Sequence, residues 1–98
     1  MARVIFTISY DVNPEKREEY MALTRVMKQH FSGVNGREYA IYEQKGKKNS
    51  FSEVFIFPSM NDYDGMEDQE ESMTEVVSRL EGMLTKGRMR YSTLVEIE

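Results

Sequence analysis

Hydrophobic alternation gives way to helical spacing twice in this chain, and that order constrains the fold more than any other feature. Arg3 to Asp11 alternates with period two: Val4, Phe6, Ile8 and Tyr10 share one face, and Ile5, Thr7, Ser9 and Asp11 the other. Asn13-Pro14-Glu15 then reads as a helix start. The asparagine can cap free N–H groups, proline suits the first helical position, and the acid favours the positive end of the helix dipole. Tyr20, Leu23, Met27 and Phe31 follow at helical spacing with Val34 just beyond, and Gly33 and Gly36 end the segment. Arg37 to Lys45 and Ser50 to Pro58 predict a hairpin around Gly46–Asn49. Tyr39 and Ile41 oppose Ala40 and Tyr42 on its first strand; Phe51, Phe55 and Phe57 oppose Val54 and Ile56 on its second. Pro58 cannot donate a ladder hydrogen bond and closes that strand.

Ser59 to Gly65 reads as a polar turn, and Met66 opens a second helix. Its apolar stripe is Met73, Val76, Val77, Leu80, Met83 and Leu84, with Lys86 and Gly87 as its stop. Met89 to Glu98 returns to alternation. The result is β-α-β-β-α-β within 98 residues, a single α+β domain over 1–98. Right-handed crossovers interlock the two halves, which predicts a ferredoxin-like, four-stranded antiparallel sheet of order 4-1-3-2 with two helices on one face. The strands carry apolar groups on both faces, and such strands are usually buried on both sides. A homodimer through the open sheet face is therefore expected. Which face meets the helices stays open at this point.

The net charge of −4, from 13 basic and 17 acidic residues, argues against a nucleic-acid partner, which needs a concentrated basic face. Lys45, Lys47 and Lys48 read as a solvated hairpin tip. The absence of cysteine removes disulfides, thiolate nucleophiles and cysteine-based zinc sites. No apolar run is long enough to cross a bilayer, and the N-terminus runs straight into a strand pattern, so no membrane partner and a cytoplasmic location are expected. Glu67, Asp68, Glu70 and Glu71 read as acids at a helix start, and no metal is expected.

No catalytic constellation stands out. His30 is the single histidine, beside Phe31 near a helix end, and without cysteine a Cys–His pair is impossible. Gly33-Val34-Asn35-Gly36 follows a helix rather than a strand, unlike a dinucleotide fingerprint. Tyrosines are the best polar candidates: Tyr10, Tyr39, Tyr42 and Tyr91 on strands, Tyr63 in the turn before the second helix. A buried tyrosine hydroxyl needs a partner, which can be protein, water or ligand. Tyr10, His30, Tyr39, Tyr42 and Tyr63 are the candidates to line a pocket between sheet and helices that suits a flat apolar molecule. Plain packing is the competing reading of the same residues.

Three stretches carry a family resemblance: Phe6-Thr-Ile-Ser-Tyr-Asp-Val-Asn-Pro-Glu-Lys-Arg-Glu-Glu-Tyr20, Val54-Phe-Ile-Phe-Pro-Ser-Met-Asn-Asp-Tyr63 and Tyr91-Ser-Thr-Leu-Val-Glu-Ile97. With the element order, they resemble the dimeric α+β barrel superfamily, in its antibiotic-biosynthesis-monooxygenase-like branch. The resemblance implies two protomers packed sheet against sheet with helices outside. Members include cofactor-free oxygenases of polycyclic phenols and quinols, haem-degrading enzymes and small binding or stress proteins. The haem-degrading type uses an asparagine on the first strand with a tryptophan and a histidine further along. Here Thr7 stands about where that asparagine would be, there is no tryptophan, and the second helix has no histidine. The resemblance thus points to a monooxygenase-like protein acting without a cofactor on a small aromatic or quinol-type molecule, and it adds Thr7 to the candidate pocket residues. A non-enzymatic, small-ligand-binding or stress-related dimer is the alternative.

Overall fold

A computed structural model describes residues 2–32, 36–65, 70–85 and 89–97, with side chains in the last helix described from residue 76 onward. Strand β1 (Val4–Asp11) leads through a 3-10 turn (Pro14–Lys16) into helix α1 (Arg17–Phe31). Strands β2 (Glu38–Glu43) and β3 (Ser50–Phe57) form the hairpin; short helix α2 (Met60–Asp64), helix α3 (Glu70–Glu81) and strand β4 (Arg90–Val95) complete the chain. The sheet order is β2-β3-β1-β4, which is the expected 4-1-3-2 read from the other edge. All three pairings are antiparallel. At the entry to α1, the Asn13 side chain accepts the Glu15 N–H and Pro14 takes the first position, as the sequence predicts.

The register settles which face is covered. Val4 pairs with Phe57, Phe6 with Phe55, Ile8 with Glu53 and Tyr10 with Phe51, while Tyr39 lies across from Phe55 and Ile41 from Glu53. These side chains share one face, and α1 lays Tyr20, Leu23, Met27 and Phe31 on it, joined by Leu80 of α3. Stacking a few large rings there removes most of them from water, at roughly 25 cal/mol per Å² of apolar surface. The opposite face presents Ile5, Thr7 and Ser9 from β1, Ser52, Val54 and Ile56 from β3, and Ala40 and Tyr42 from β2. No helix covers it among the described residues.

The helical layer differs from the sequence expectation in two places. The stretch expected as a polar turn holds α2: the Ser59 side chain accepts the Asp62 N–H, and Tyr63 sits edge-on to both Phe57 and Phe6. A serine followed three residues later by an acid is a helix-start signature, and here it wins over the turn reading. Helix α3 ends at Glu81, so Met83 and Leu84 are not on its stripe. Leu84 instead forms an isolated bridge with Val12, and the Met83 carbonyl accepts the Asn13 N–H. The expected helix start at Met66, the acids Glu67 and Asp68, Gly33, Val34, and the stop at Lys86 and Gly87 lie outside the described residues, as do the side chains of Glu70, Glu71 and Met73. Gly36 and Gly46 have φ of +78° and +84°, a region that favours glycine, so Gly46 belongs to the turn for its backbone and not only its polarity.

Candidate functional site

The most unusual side chain in the core is an acid. Strand alternation puts Glu53 on the helix-covered face between Phe51 and Phe55, and it is 3% exposed. Across the sheet its neighbours are Ile8 and Ile41. The Tyr39 hydroxyl donates to its Oε1 at 2.6 Å, and the Tyr10 hydroxyl also hydrogen-bonds to the carboxyl. Tyr10 in turn meets the Tyr20 hydroxyl of α1 at 2.8 Å. With Glu53 ionised, Tyr10 donates to it and Tyr20 donates to Tyr10. Among the described residues no lysine or arginine forms an ion pair with Glu53.

The electrostatics follow from that isolation. Burial pushes the Glu53 carboxyl above the usual carboxylate range, against the two tyrosine hydrogen bonds that pull it down. Burial first, then the neighbouring Glu53 charge, pushes the Tyr10 and Tyr39 hydroxyls far above an ordinary phenol, and burial likewise raises Tyr20. The cluster is thus one raised carboxyl held by phenols that stay protonated. Such a group can take a proton from a bound acid and return it.

Of the residues singled out from sequence, Tyr10 and Tyr39 come together on Glu53. Tyr63 lies elsewhere on the same face, its hydroxyl 3.2 Å from Thr93 Oγ1. Thr7 and Tyr42 are on the bare face, paired across strands with Val54 and Ser52, and Tyr42 is 58% exposed. His30 is exposed near the end of α1, edge-on to the Phe31 ring at 4.9 Å. The expected single pocket does not gather these six. Beneath the helices the space near Tyr39 is filled by rings, with Phe31 and Phe55 centroids at 5.2 and 4.6 Å. A groove of about 430 Å³ opens instead at the β2 rim, with Tyr39, Tyr42, Ala40, Val54 and Ile56 in its wall. No group of acids and His able to hold a metal occurs among the described residues. No described helix is long and apolar enough to cross a membrane.

Glu53 itself escapes a reading by residue type, because an acid on a strand suggests solvent. The available signal was positional: it shares a face with Phe51 and Phe55 on a strand that the topology makes central.

No protein-family profile matches the chain, and no curated protein matches it. Solved structures do. A conserved protein from Methanosarcina mazei Go1 superposes with a TM-score of 0.82 at 17% identity, covering 96% of this chain and 92% of that one. Rv0793 from Mycobacterium tuberculosis gives 0.79 at 15% identity over 98% of this chain and 96% of that one. An antibiotic biosynthesis monooxygenase gives 0.65 at 17% identity over 100% and 98%. These likenesses show the fold: a ferredoxin-like α+β sheet of the kind found in that monooxygenase.

Proposed function

We propose that the chain pairs with a second copy through its bare sheet face, and that each protomer binds a small phenol or quinol and oxidises it with O₂ without a cofactor. Glu53 is the observation that carries this reading. A buried carboxylate without a cation is a stronger base than one in water, and deprotonating a phenol is what opens it to O₂. In this reading a substrate reaches Glu53 only by displacing the Phe31 and Phe55 rings packed on Tyr39. Glu53 then takes the phenolic proton, and the electron-rich anion reduces O₂. For an anthrone-type substrate a ring CH₂ becomes C=O, and the second oxygen leaves as water. Tyr39 and Tyr10 hold the carboxyl in place as neutral donors. The likeness in fold to an antibiotic biosynthesis monooxygenase supports a monooxygenase-like reading. Pairing is supported by the large apolar groups that the bare face exposes, Leu94 at 56% and Tyr42 at 58%. A cytoplasmic setting belongs to this reading.

The test is oxygen uptake and absorbance across a panel of quinols and anthrones. Wild type is expected to turn over at least one of them, and Glu53→Gln to lose about 10²–10⁴-fold of that rate, the usual worth of a general base. No uptake by wild type with any member of the panel would remove the oxygenase reading. A second reading rests on the sealing of the cluster: Tyr10 and Tyr20 are each 0% exposed. It makes the protein a binder of the same molecules without turnover, and a ligand-induced spectral change with no oxygen consumed would select it.

A further inference from the structure

Strand β4 forms one rim of the sheet, paired with β1 on one side and with no described strand on the other. It is exposed along its whole length, with Tyr91 63% open to solvent on the side of the helices. No charge or proline interrupts the run from Tyr91 to Val95, so the devices that usually guard a free edge are missing there. The ladder with β1 fixes which backbone groups are idle. Glu96 donates its N–H to the Arg3 carbonyl, and in an antiparallel pair the bonded positions alternate. Leu94, Ser92 and Arg90, across from Ile5, Thr7 and Ser9, therefore bond inward to β1. The N–H and C=O groups of Tyr91, Thr93 and Val95 point outward.

The geometry points to this rim as a seam with a second copy, β4 lying antiparallel to the partner's β4 and centred on Thr93. In that register Thr93 meets the partner's Thr93 and Tyr91 meets the partner's Val95, so the outward groups of all three residues find mates. Arg90 falls opposite the partner's Glu96, both on the side of the bare face. Among the described residues no carboxylate pairs with Arg90. The Arg3 N–H and guanidinium hold Glu96 at the rim, and a carboxylate has room for a further donor. Sliding the strands by two residues keeps outward groups facing each other, but it puts Arg90 opposite Leu94 in one direction and Glu96 opposite Ser92 in the other. Charge complementarity thus selects one register, and the aromatic–β-branched pairing of Tyr91 with Val95 reinforces it. Joining two stacked, twisted sheets along a rim closes them toward a barrel and removes the free edge. The seam rests on the pairing of two copies proposed above and not on oxygen chemistry.

The chain has no cysteine, so engineered ones report the seam cleanly. Arg90→Cys combined with Glu96→Cys is expected, on mild oxidation, to run as two linked chains on a non-reducing gel. Within one chain these positions stand about 20 Å apart along the strand, too far for a disulfide, so the bond reports the neighbour. Arg90→Cys combined with Leu94→Cys, one slide out of register, should stay at the mass of one chain. Hydrogen exchange tests the unmodified strand. The Tyr91, Thr93 and Val95 amides of wild type should exchange at least about tenfold more slowly than those of Val54→Asp, whose bare face no longer pairs. Ser92 and Leu94, bonded to β1 in both proteins, should change little and serve as the internal reference. Linkage of the out-of-register pair, or none from the in-register pair, would overturn the seam. So would outward amides that exchange as fast in a two-subunit wild type as in the variant, and the face pairing would then stand without it. A wild type of one subunit would overturn both.

Discussion

Glutamine in place of Glu53 is expected to leave stability near pH 4 almost unchanged and to raise it by about 1–3 kcal/mol at pH 8. Burial lifts the folded carboxyl above its ordinary value of 4.5. Between 4.5 and that higher value the native state keeps a proton that the unfolded chain has released, so wild-type stability falls as pH rises through this window. Below the window both states are protonated and the penalty is absent. Each unit of elevation is worth about 1.4 kcal/mol. The amide keeps the oxygen that accepts from Tyr39 and offers an N–H to Tyr10, but it never ionises. Denaturant midpoints from pH 4 to 8.5 measure the effect. Surface acids affect both proteins alike: the Arg17 guanidinium and then the Asn49 N–H hold the Glu43 carboxyl down to about 2, and the Arg3 N–H and guanidinium lower Glu96. The difference between the two curves therefore isolates position 53. Parallel curves would mean that Glu53 is not a strained acid, and the base assigned to it would go as well. Leucine at the same position should do worse than glutamine by about 1–3 kcal/mol at every pH, because it strands two buried hydroxyls.

Topology was the most legible part of this molecule, and for a physical reason. Strand and helix periods differ, so Val4-to-Tyr10 and Tyr20-to-Phe31 announce themselves, and crossover handedness then leaves one strand order. The covered face was harder, since Ile5, Val54 and Ile56 make the bare face nearly as apolar in kind. Bulk is what separates them: the rings of Phe6, Tyr10, Phe51, Phe55 and Phe57 all fall on the helix side, whereas Thr7, Ser9, Ser52 and Ala40 fall on the other. Met83 and Leu84 continued the helical spacing beyond Glu81 because a bridge to Val12 needs an apolar residue there too. At the candidate site, Tyr10 and Tyr39 could be named because a strand tyrosine needs a hydroxyl partner. Glu53 could not, because charge outweighs position when a residue is read alone. Thr7 and Tyr42 were grouped with Tyr10 and Tyr39 although strand parity places them on opposite faces.

That parity makes two adjacent residues of β3 respond in opposite ways to the same substitution. Phe55→Asp is expected to leave the chain unfolded, and Val54→Asp to leave it folded but alone. Phe55 is 1% exposed, with ring centroids of Tyr39, Phe31, Phe6 and Phe57 at 4.6, 5.6, 5.8 and 6.2 Å. Removing a buried phenylalanine costs about 3–5 kcal/mol before any charge is considered. An aspartate there would also sit unpaired in that core, and the sum matches or exceeds the roughly 5–15 kcal/mol that holds a domain together. Val54 faces the other way, between Thr7 and Ala40 on the uncovered side, where water can reach a carboxylate in a lone subunit. In a pair stacked sheet on sheet, two such carboxylates would be trapped close together. Circular dichroism and sedimentation at micromolar concentration separate the cases. A folded Phe55→Asp would contradict the burial of that ring. A Val54→Asp variant that still sediments as two subunits, or a wild type that sediments as one, would take the bare face out of the assembly.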